Sequence, residues 1–244
     1  MPETEQSLIL SILICSLEAR KELLQGLLAS LYAQIKYLPN PESVEIIYLV
    51  DNKEITVGAK RNKLLEMARG KYVVFVDDDD RVAGDYVARI LDAVKTSPDA
   101  VGITGIITWD LRNPKMFRHS MDYGKESPTI EGVYNKPPYH VCPILAAHAK
   151  AHKFPEISYG EDSAWAMEVF QHIRTCTTIP VPIYLYDFRF KGTETHAKNP
   201  ITAPATKPIL PRRQVIRKPT PTPKNIVPTS HGSRHFENGV LKRT

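Results

Sequence analysis

Short, nearly unbroken apolar runs alternate with stretches of 3.6-residue period, and the alternation repeats three times within the first hundred residues. Leu8-Ile9-Leu10-Ser11-Ile12-Leu13-Ile14 is almost continuously apolar, as a strand buried on both faces should be. The period that follows sets Leu23, Leu24, Leu27, Leu28, Leu31 and Ile35 on one side of a helix, stopped by Pro39 and Pro41. Residues 44–50 predict a second strand closing on Asp51. Residues 58–69 predict a helix with Leu64, Leu65 and Ala68 inward and Gly70 as its stop. Residues 72–76 form a third apolar run that opens directly onto Asp77, Asp78, Asp79 and Asp80, and residues 86–94 predict another helix ended near Pro98.

Strand, helix, strand, helix, strand, helix predicts an α/β fold with a Rossmann-like, mostly parallel central sheet and flanking helices. Ligands of such sheets sit beyond the carboxyl ends of the strands, where Asp51 and the four aspartates fall. After Ala100 the pattern loosens. Residues 101–109 read as a strand pair or one extended strand, and residues 110–138 as an acceptor-side loop or hairpin. A helix over 163–173 is entered through Gly160-Glu161-Asp162, and residues 177–188 form an edge strand marked by Pro180 and Pro182. From Lys198 to the last residue there are eight prolines and no sustained apolar period, which predicts an extended or disordered tail. The chain thus divides into a domain over 1–197 and a Pro-rich arm over 198–244.

Composition adds little to that picture, but charge changes it. The arm holds ten Lys and Arg against Glu237 alone, so it carries +9 of a whole-chain +5, and the preceding body carries −4. A basic arm suits a polyanion such as nucleic acid or an anionic membrane surface, the alternative being a solvated linker. Three cysteines without CxxC spacing give neither a disulfide framework nor a zinc knuckle. The apolar run from Leu8 to Cys15 is too short to span a bilayer and has acidic residues before it, so the expected location is cytoplasmic.

Four consecutive carboxylates at the end of a buried strand repel one another. A hard divalent cation, Mn²⁺ or Mg²⁺, removes that repulsion and shares its remaining sites with phosphate oxygens. An Asp-x-Asp at a strand end can aim two short side chains at one ion; the competing explanation is an acidic turn or helix cap.

Taken in order, Ser11-Ile12-Leu13-Ile14 with Arg20 in the following turn, Val50-Asp51, Gly58-Ala59-Lys60-Arg61-Asn62 with Ala68-Arg69-Gly70, residues 72–76 with the four aspartates, and Gly160-Glu161-Asp162 resemble the family 2 glycosyltransferases of the GT-A fold. The resemblance implies a metal-dependent, inverting transfer of a sugar from a nucleotide diphosphate, typically a UDP-sugar, to an acceptor hydroxyl. It implies that Asp51 contacts the nucleobase, where a carboxylate accepts the imide N–H of uracil, and that Arg20 and Arg61 reach the nucleotide. It gives Asp77 and Asp79 to the metal, with Asp77 also toward the ribose, and brings His196 as a third ligand from the C-terminal side. It makes Asp162 the general base, with Glu161 beside it. A turn residue at Asp51, a surface Arg61, ordinary first-turn acids at Glu161 and Asp162 and a solvated His196 are the plainer alternatives. His140 and Trp165 are candidate acceptor-pocket residues, a tryptophan such as Trp165 being more often a core residue. The acceptor is a glycan, a lipid-linked oligosaccharide, a protein or a hydroxylated DNA base of the phage type. A non-catalytic GT-A module that binds a nucleotide or polyanion is the rival from another class. Nucleotidyl transfer lacks its Gly-rich loop here.

Overall fold

A computed structural model of the protein describes residues 8–123, 129–130, 132–188 and 212–215. Strand β1 (Leu10–Leu17) passes through a short 3-10 turn at Glu18–Arg20 into helix α1 (Lys21–Ile35). Strand β2 (Val44–Asp51), helix α2 (Val57–Met67) and strand β3 (Tyr72–Phe75) follow. Both β2 and β3 pair with β1 in parallel, in the order β2-β1-β3. The chain therefore crosses the sheet one way through α1 and the other way through α2. Crossovers of one hand must then place these helices on opposite faces. Accordingly α1 packs on α3 (Tyr86–Ala93), and α2 packs on α4 (Ala146–Ala151) and α5 (Glu161–Phe170).

These strands are buried on both sides, which accounts for their unbroken apolar runs: Leu10, Ile12, Leu13, Ile14, Ile46, Ile47 and Val74 are wholly covered. Two buried polar residues near the starts of β1 and β2 are matched to each other. Buried Glu45 accepts from Ser11 Oγ (2.7 Å) and from the Arg69 amide (2.8 Å), and Ser11 Oγ accepts from the Gly70 amide (2.8 Å). The segment between α2 and β3 is thereby stitched to the starts of β1 and β2. On α1, Leu24, Leu27, Leu31 and Ile35 are buried, but Leu23 is exposed because the helix meets the sheet along a narrower stripe than the sequence period allows.

The second half of the sheet is mixed. A two-residue strand β4 (Arg81–Val82) precedes α3, and strand β5 (Ala100–Trp109) returns through Asp110 and Leu111, both at positive φ, into the antiparallel strand β6 (Arg112–His119). Paired positive φ values are what a two-residue hairpin needs to match strand twist. Strands β7 (Thr129–Ile130) and β8 (Val133–Lys136) extend this edge. Strand β9 (Ile144–Leu145) links β3 to β5 antiparallel, and β10 (Cys176–Phe188) runs parallel to β5 with register shifts around Pro182. The sequence expectation for 110–138 of a loop or hairpin resolves into β6 to β8; α4 was not expected. Of the basic arm, Arg212–Val215 is described, as strand β11 paired antiparallel with β2. Among the described residues no helix is long and apolar enough to cross a membrane.

Candidate active site

In a 2-1-3 parallel sheet the strand order reverses between β1 and β3, and a crevice opens beyond their carboxyl ends. Ser16, near the end of β1, donates from Oγ to Asp78 Oδ2 across this switch point (2.6 Å). The four aspartates form a turn closed by the Asp80 amide on the Asp77 carbonyl (3.1 Å). That turn sorts their side chains. Asp78 and Asp80 point inward and are buried, whereas the side chains of Asp77 and Asp79 keep 36% and 25% of their surface exposed.

The buried pair bears the electrostatic cost. Burial pushes Asp78 up to about 6, against the opposing pull of Arg20 (2.8 Å) and Ser16. Burial and then the Asp77 charge raise Asp80 well above the usual carboxylate range, although Tyr184 Oη donates to it (2.6 Å). Arg20 also pairs with Asp79, so one guanidinium spans two neighbouring acids. Asp77 behaves oppositely. Burial would raise it, but the Arg61 guanidinium and His140 outweigh burial and hold it well below the ordinary value.

Arg61 is the hub. Thr56 caps α2 by accepting the Ala59 amide (3.1 Å), and the first turn then directs Lys60 and Arg61 inward rather than to solvent. Arg61 Nη2 meets Asp77 Oδ1 (3.1 Å) and Nε meets Glu161 Oε1 (3.2 Å), while the guanidinium lies over the rings of Phe75 (4.9 Å) and Phe154 (5.7 Å). Its Nη1 is buried and has no hydrogen-bond partner among the described residues. Lys60 is buried too, paired with Asp51 and donating to the Ser16 carbonyl (3.2 Å). Asp51 Oδ2 accepts the Ile55 amide (3.2 Å). Both oxygens of Asp51, the residue expected to contact the nucleobase, are therefore engaged within the protein, and Asp51 with Lys60 forms a covered ion pair.

Gly160 occupies the left-handed region (φ 82°), which a side-chain-bearing residue resists, and turns the chain into α5. Glu161 and Asp162 then diverge. Glu161 is buried, pairs with Arg61 and is raised by that burial. Asp162 keeps 26% of its side chain exposed and lies 3.7 Å, Oδ2 to Nδ1, from the imidazole of His140. That same ring reaches Asp77 Oδ2 through Nε2 (3.3 Å). His140, expected at most to line an acceptor pocket, is buried between the two exposed acids. Trp165 belongs to the core, stacked on Phe154 at 4.4 Å and donating to the His152 carbonyl (3.1 Å).

Arg20, Arg61, Asp77, Asp79, Glu161 and Asp162 thus converge, with Asp51 on the adjoining strand. His196 lies outside the described residues. Among the described residues no group of three or more His, Cys, Asp or Glu side chains is arranged to hold an ion. Asp77 and Asp79 nonetheless have the donor type a hard cation takes: both offer partly exposed carboxylate oxygens on one turn, each now facing a guanidinium, Arg61 and Arg20 respectively.

Residues 32–153 match the family model of glycosyl transferase family 2. That segment carries Asp51, Arg61, the four aspartates and His140, with Arg20 before it and Glu161 and Asp162 after it. A Bacillus subtilis (strain 168) protein named as a teichuronic acid biosynthesis glycosyltransferase, TuaG, is 31% identical over 91 residues, which is 37% of this chain and 31% of TuaG. S. aureus TarS 1-349 in complex with UDP-GlcNAc matches with a TM-score of 0.60 at 16% identity, over 78% of this chain and 61% of that one. The same fragment in complex with UDP gives 0.57 at 16% identity, over 73% and 60%. At such identity the likeness to TarS is one of fold. The chain spans about a third of TuaG and three fifths of the TarS fragment.

Proposed function

Because this chain belongs to glycosyl transferase family 2, we propose that it is a metal-dependent, inverting glycosyltransferase that moves a sugar from UDP to an acceptor hydroxyl. One observation carries this reading. The buried Arg61 guanidinium links the partly exposed Asp77, just beyond β3, to Glu161 in the first turn of α5, and the buried His140 imidazole lies between Asp77 and the partly exposed Asp162 of that same turn.

Asp162 takes the proton from the acceptor hydroxyl, which attacks the anomeric carbon from the face opposite the diphosphate. Its carboxylate stands in the first turn of α5 with 26% of the side chain exposed, open to an acceptor hydroxyl as a general base must be. The diphosphate lies beyond β1 and β3, where Arg20 and the unpartnered Nη1 of Arg61 are the available cationic donors. Asp77 and Asp79 would hold Mn²⁺ or Mg²⁺, with His196 as the further ligand in this reading. When bound, the ion neutralises charge gathering on the departing diphosphate. Asp51 is the acceptor proposed for the uracil imide N–H, a contact that requires Lys60 to release one of its oxygens. The UDP and UDP-GlcNAc complexes of TarS, which shares the fold, support a uridine nucleotide as donor.

Similarity to TuaG favours a glycan as the acceptor. The +9 arm favours a second reading, a hydroxylated base in DNA. The test is a panel of UDP-sugars assayed for Mn²⁺-dependent UDP release with polysaccharide, with duplex DNA and with neither. Asp162→Asn should abolish release while UDP affinity stays within about twofold of wild type. Loss of release and affinity together would make Asp162 structural.

A further inference from the structure

His140 is not one of the acids or guanidinium groups that the transfer itself calls for, yet it occupies the centre of the site. Its backbone is fixed first: the His140 carbonyl accepts the amide of Phe75, the last residue of β3 (3.0 Å). Its neighbour Tyr139 bonds Ser163 in α5 (2.5 Å) and stacks on His119 (5.7 Å between centroids, 18° between planes). The dipeptide therefore bridges the strand that delivers the aspartates and the helix that delivers the base. The ring packs against Tyr139 (4.8 Å) and is almost fully covered, so it cannot swing out to solvent without unpacking. Its two nitrogens face two different carboxylates, Nε2 toward Asp77 (3.3 Å) and Nδ1 toward Asp162 (3.7 Å).

These contacts are unequal. The first is a hydrogen bond; the second falls short of one, and Nδ1 is a buried polar atom with no hydrogen-bond partner among the described residues. An unmatched buried nitrogen is costly. This one lies 3.7 Å from a carboxylate oxygen that would satisfy it, just beyond hydrogen-bond reach. Hydrogen bonds in catalytic sites are commonly long without substrate and tighten when it binds. We propose that His140 is a positioning residue that sets the separation of Asp77 and Asp162, aiming the base at the acceptor once the donor is seated. This rests on Asp162 being the base, as argued above. A base misplaced by about 1 Å loses on the order of 100-fold in rate, which gives the scale of the effect.

Two conservative variants of the full chain separate the two contacts. His140→Gln sets an amide near the ε position and keeps the link to Asp77; His140→Asn sets one near the δ position and keeps the link to Asp162. Binding is read with UDP and Mn²⁺ by calorimetry. Turnover is read as UDP release from whichever of UDP-GlcNAc, UDP-glucose and UDP-galactose the wild type uses fastest. The Gln variant should bind UDP within about twofold of wild type and lose on the order of 100-fold in kcat. The Asn variant should keep kcat within about tenfold and bind UDP more weakly. Equal losses in binding and kcat for both variants would overturn the proposal. So would a crystal structure of His140→Ala with Asp77 and Asp162 unmoved, a result that does not depend on turnover. If the wild type releases UDP from no sugar nucleotide, the transferase reading fails, and the His140→Ala structure still decides whether this residue holds the two acids apart.

Discussion

Replacing Arg61 by Met tests whether the site is held together by one buried cation. The change keeps an apolar stem against Phe75 and Phe154 but removes the guanidinium from two carboxylates. Glu161 is 5% exposed and Asp77 36%, so the two losses differ. Stripping one partner from a buried pair costs about 3–5 kcal/mol, whereas the half-open Asp77 contact is screened and adds less than about 1 kcal/mol. The lost cation–π contacts add roughly 0.5–2 kcal/mol, but water entering beside Met and protonation of Glu161 offset part of this. The expected total is about 3–4 kcal/mol, which lowers the melting temperature by on the order of 10 °C at this chain length. Urea unfolding of wild type and variant at several pH values measures it.

The pH dependence has a fixed sign. Burial already raises Glu161 above its ordinary 4.5, and losing Arg61 raises it further. A carboxyl raised on folding binds its proton more tightly folded than unfolded. Its penalty is complete above the folded value and disappears below the unfolded one. The deficit of Arg61→Met should therefore shrink as pH falls toward 4, and Glu161→Gln should recover much of it at pH 7. A deficit below about 1 kcal/mol at pH 7, or one that grows with acid, would refute the buried-pair account.

Gly58→Ala sets a Cβ 1.8 Å from the Pro155 carbonyl oxygen, backbone that also anchors Ile157 to the Gly58 amide (3.0 Å). It should lower stability by about 1–3 kcal/mol and depress UDP release by shifting the segment that leads into Glu161 and Asp162, whereas a variant of unchanged melting temperature would show that the segment yields freely. Burial lowers His119 to about 4 from 6.5 while its Nδ1 stays on the Pro137 carbonyl (2.9 Å). Because its folded value is depressed, unfolding free energy should fall by up to about 3 kcal/mol between pH 6.5 and pH 4, and His119→Gln should flatten that interval in urea titrations. If the arm grips DNA, duplex affinity should fall steeply with salt and truncation after Val215 should flatten the slope, whereas equal slopes would exclude the arm from binding.

Much of this architecture is legible in the sequence because burial on both faces leaves unbroken apolar runs. Residues 8–14, 44–50 and 72–76 announce the parallel core, and their carboxyl ends announce Asp51 and the four aspartates. What could not be read is direction. Residues 60 and 61 look like any basic pair on a helix surface, and only the packing of α2 on β1 and α5 turns both inward. Four identical aspartates give no hint of which are buried; the turn from Asp77 to Asp80 decides that. Glu161 and Asp162 are adjacent in sequence yet face different surroundings, as consecutive helical positions must. His140 follows a Pro-Pro-Tyr stretch with no periodicity, so its place between two acids depends wholly on contacts distant in the chain. Residues 110–138 were opaque because their exposed strands carry mixed polar and apolar side chains, and their pairing is set by the Asp110–Leu111 hairpin.

The antiparallel seating of β11 orients the arm. Arg212 lies opposite Tyr48 and Val215 opposite Glu45, so the backbone travels from the catalytic rim toward the far rim of the sheet. The final 29 residues, with Arg217, Lys218, Lys224, Arg234, Lys242 and Arg243, start from that far rim, while Lys198 and Lys207 precede the seated strand. Because β11 runs opposite to β2, the chain before it and the chain after it join this edge of the sheet from opposite ends, so any partner that needed both basic stretches would have to be at least as long as the strand between them.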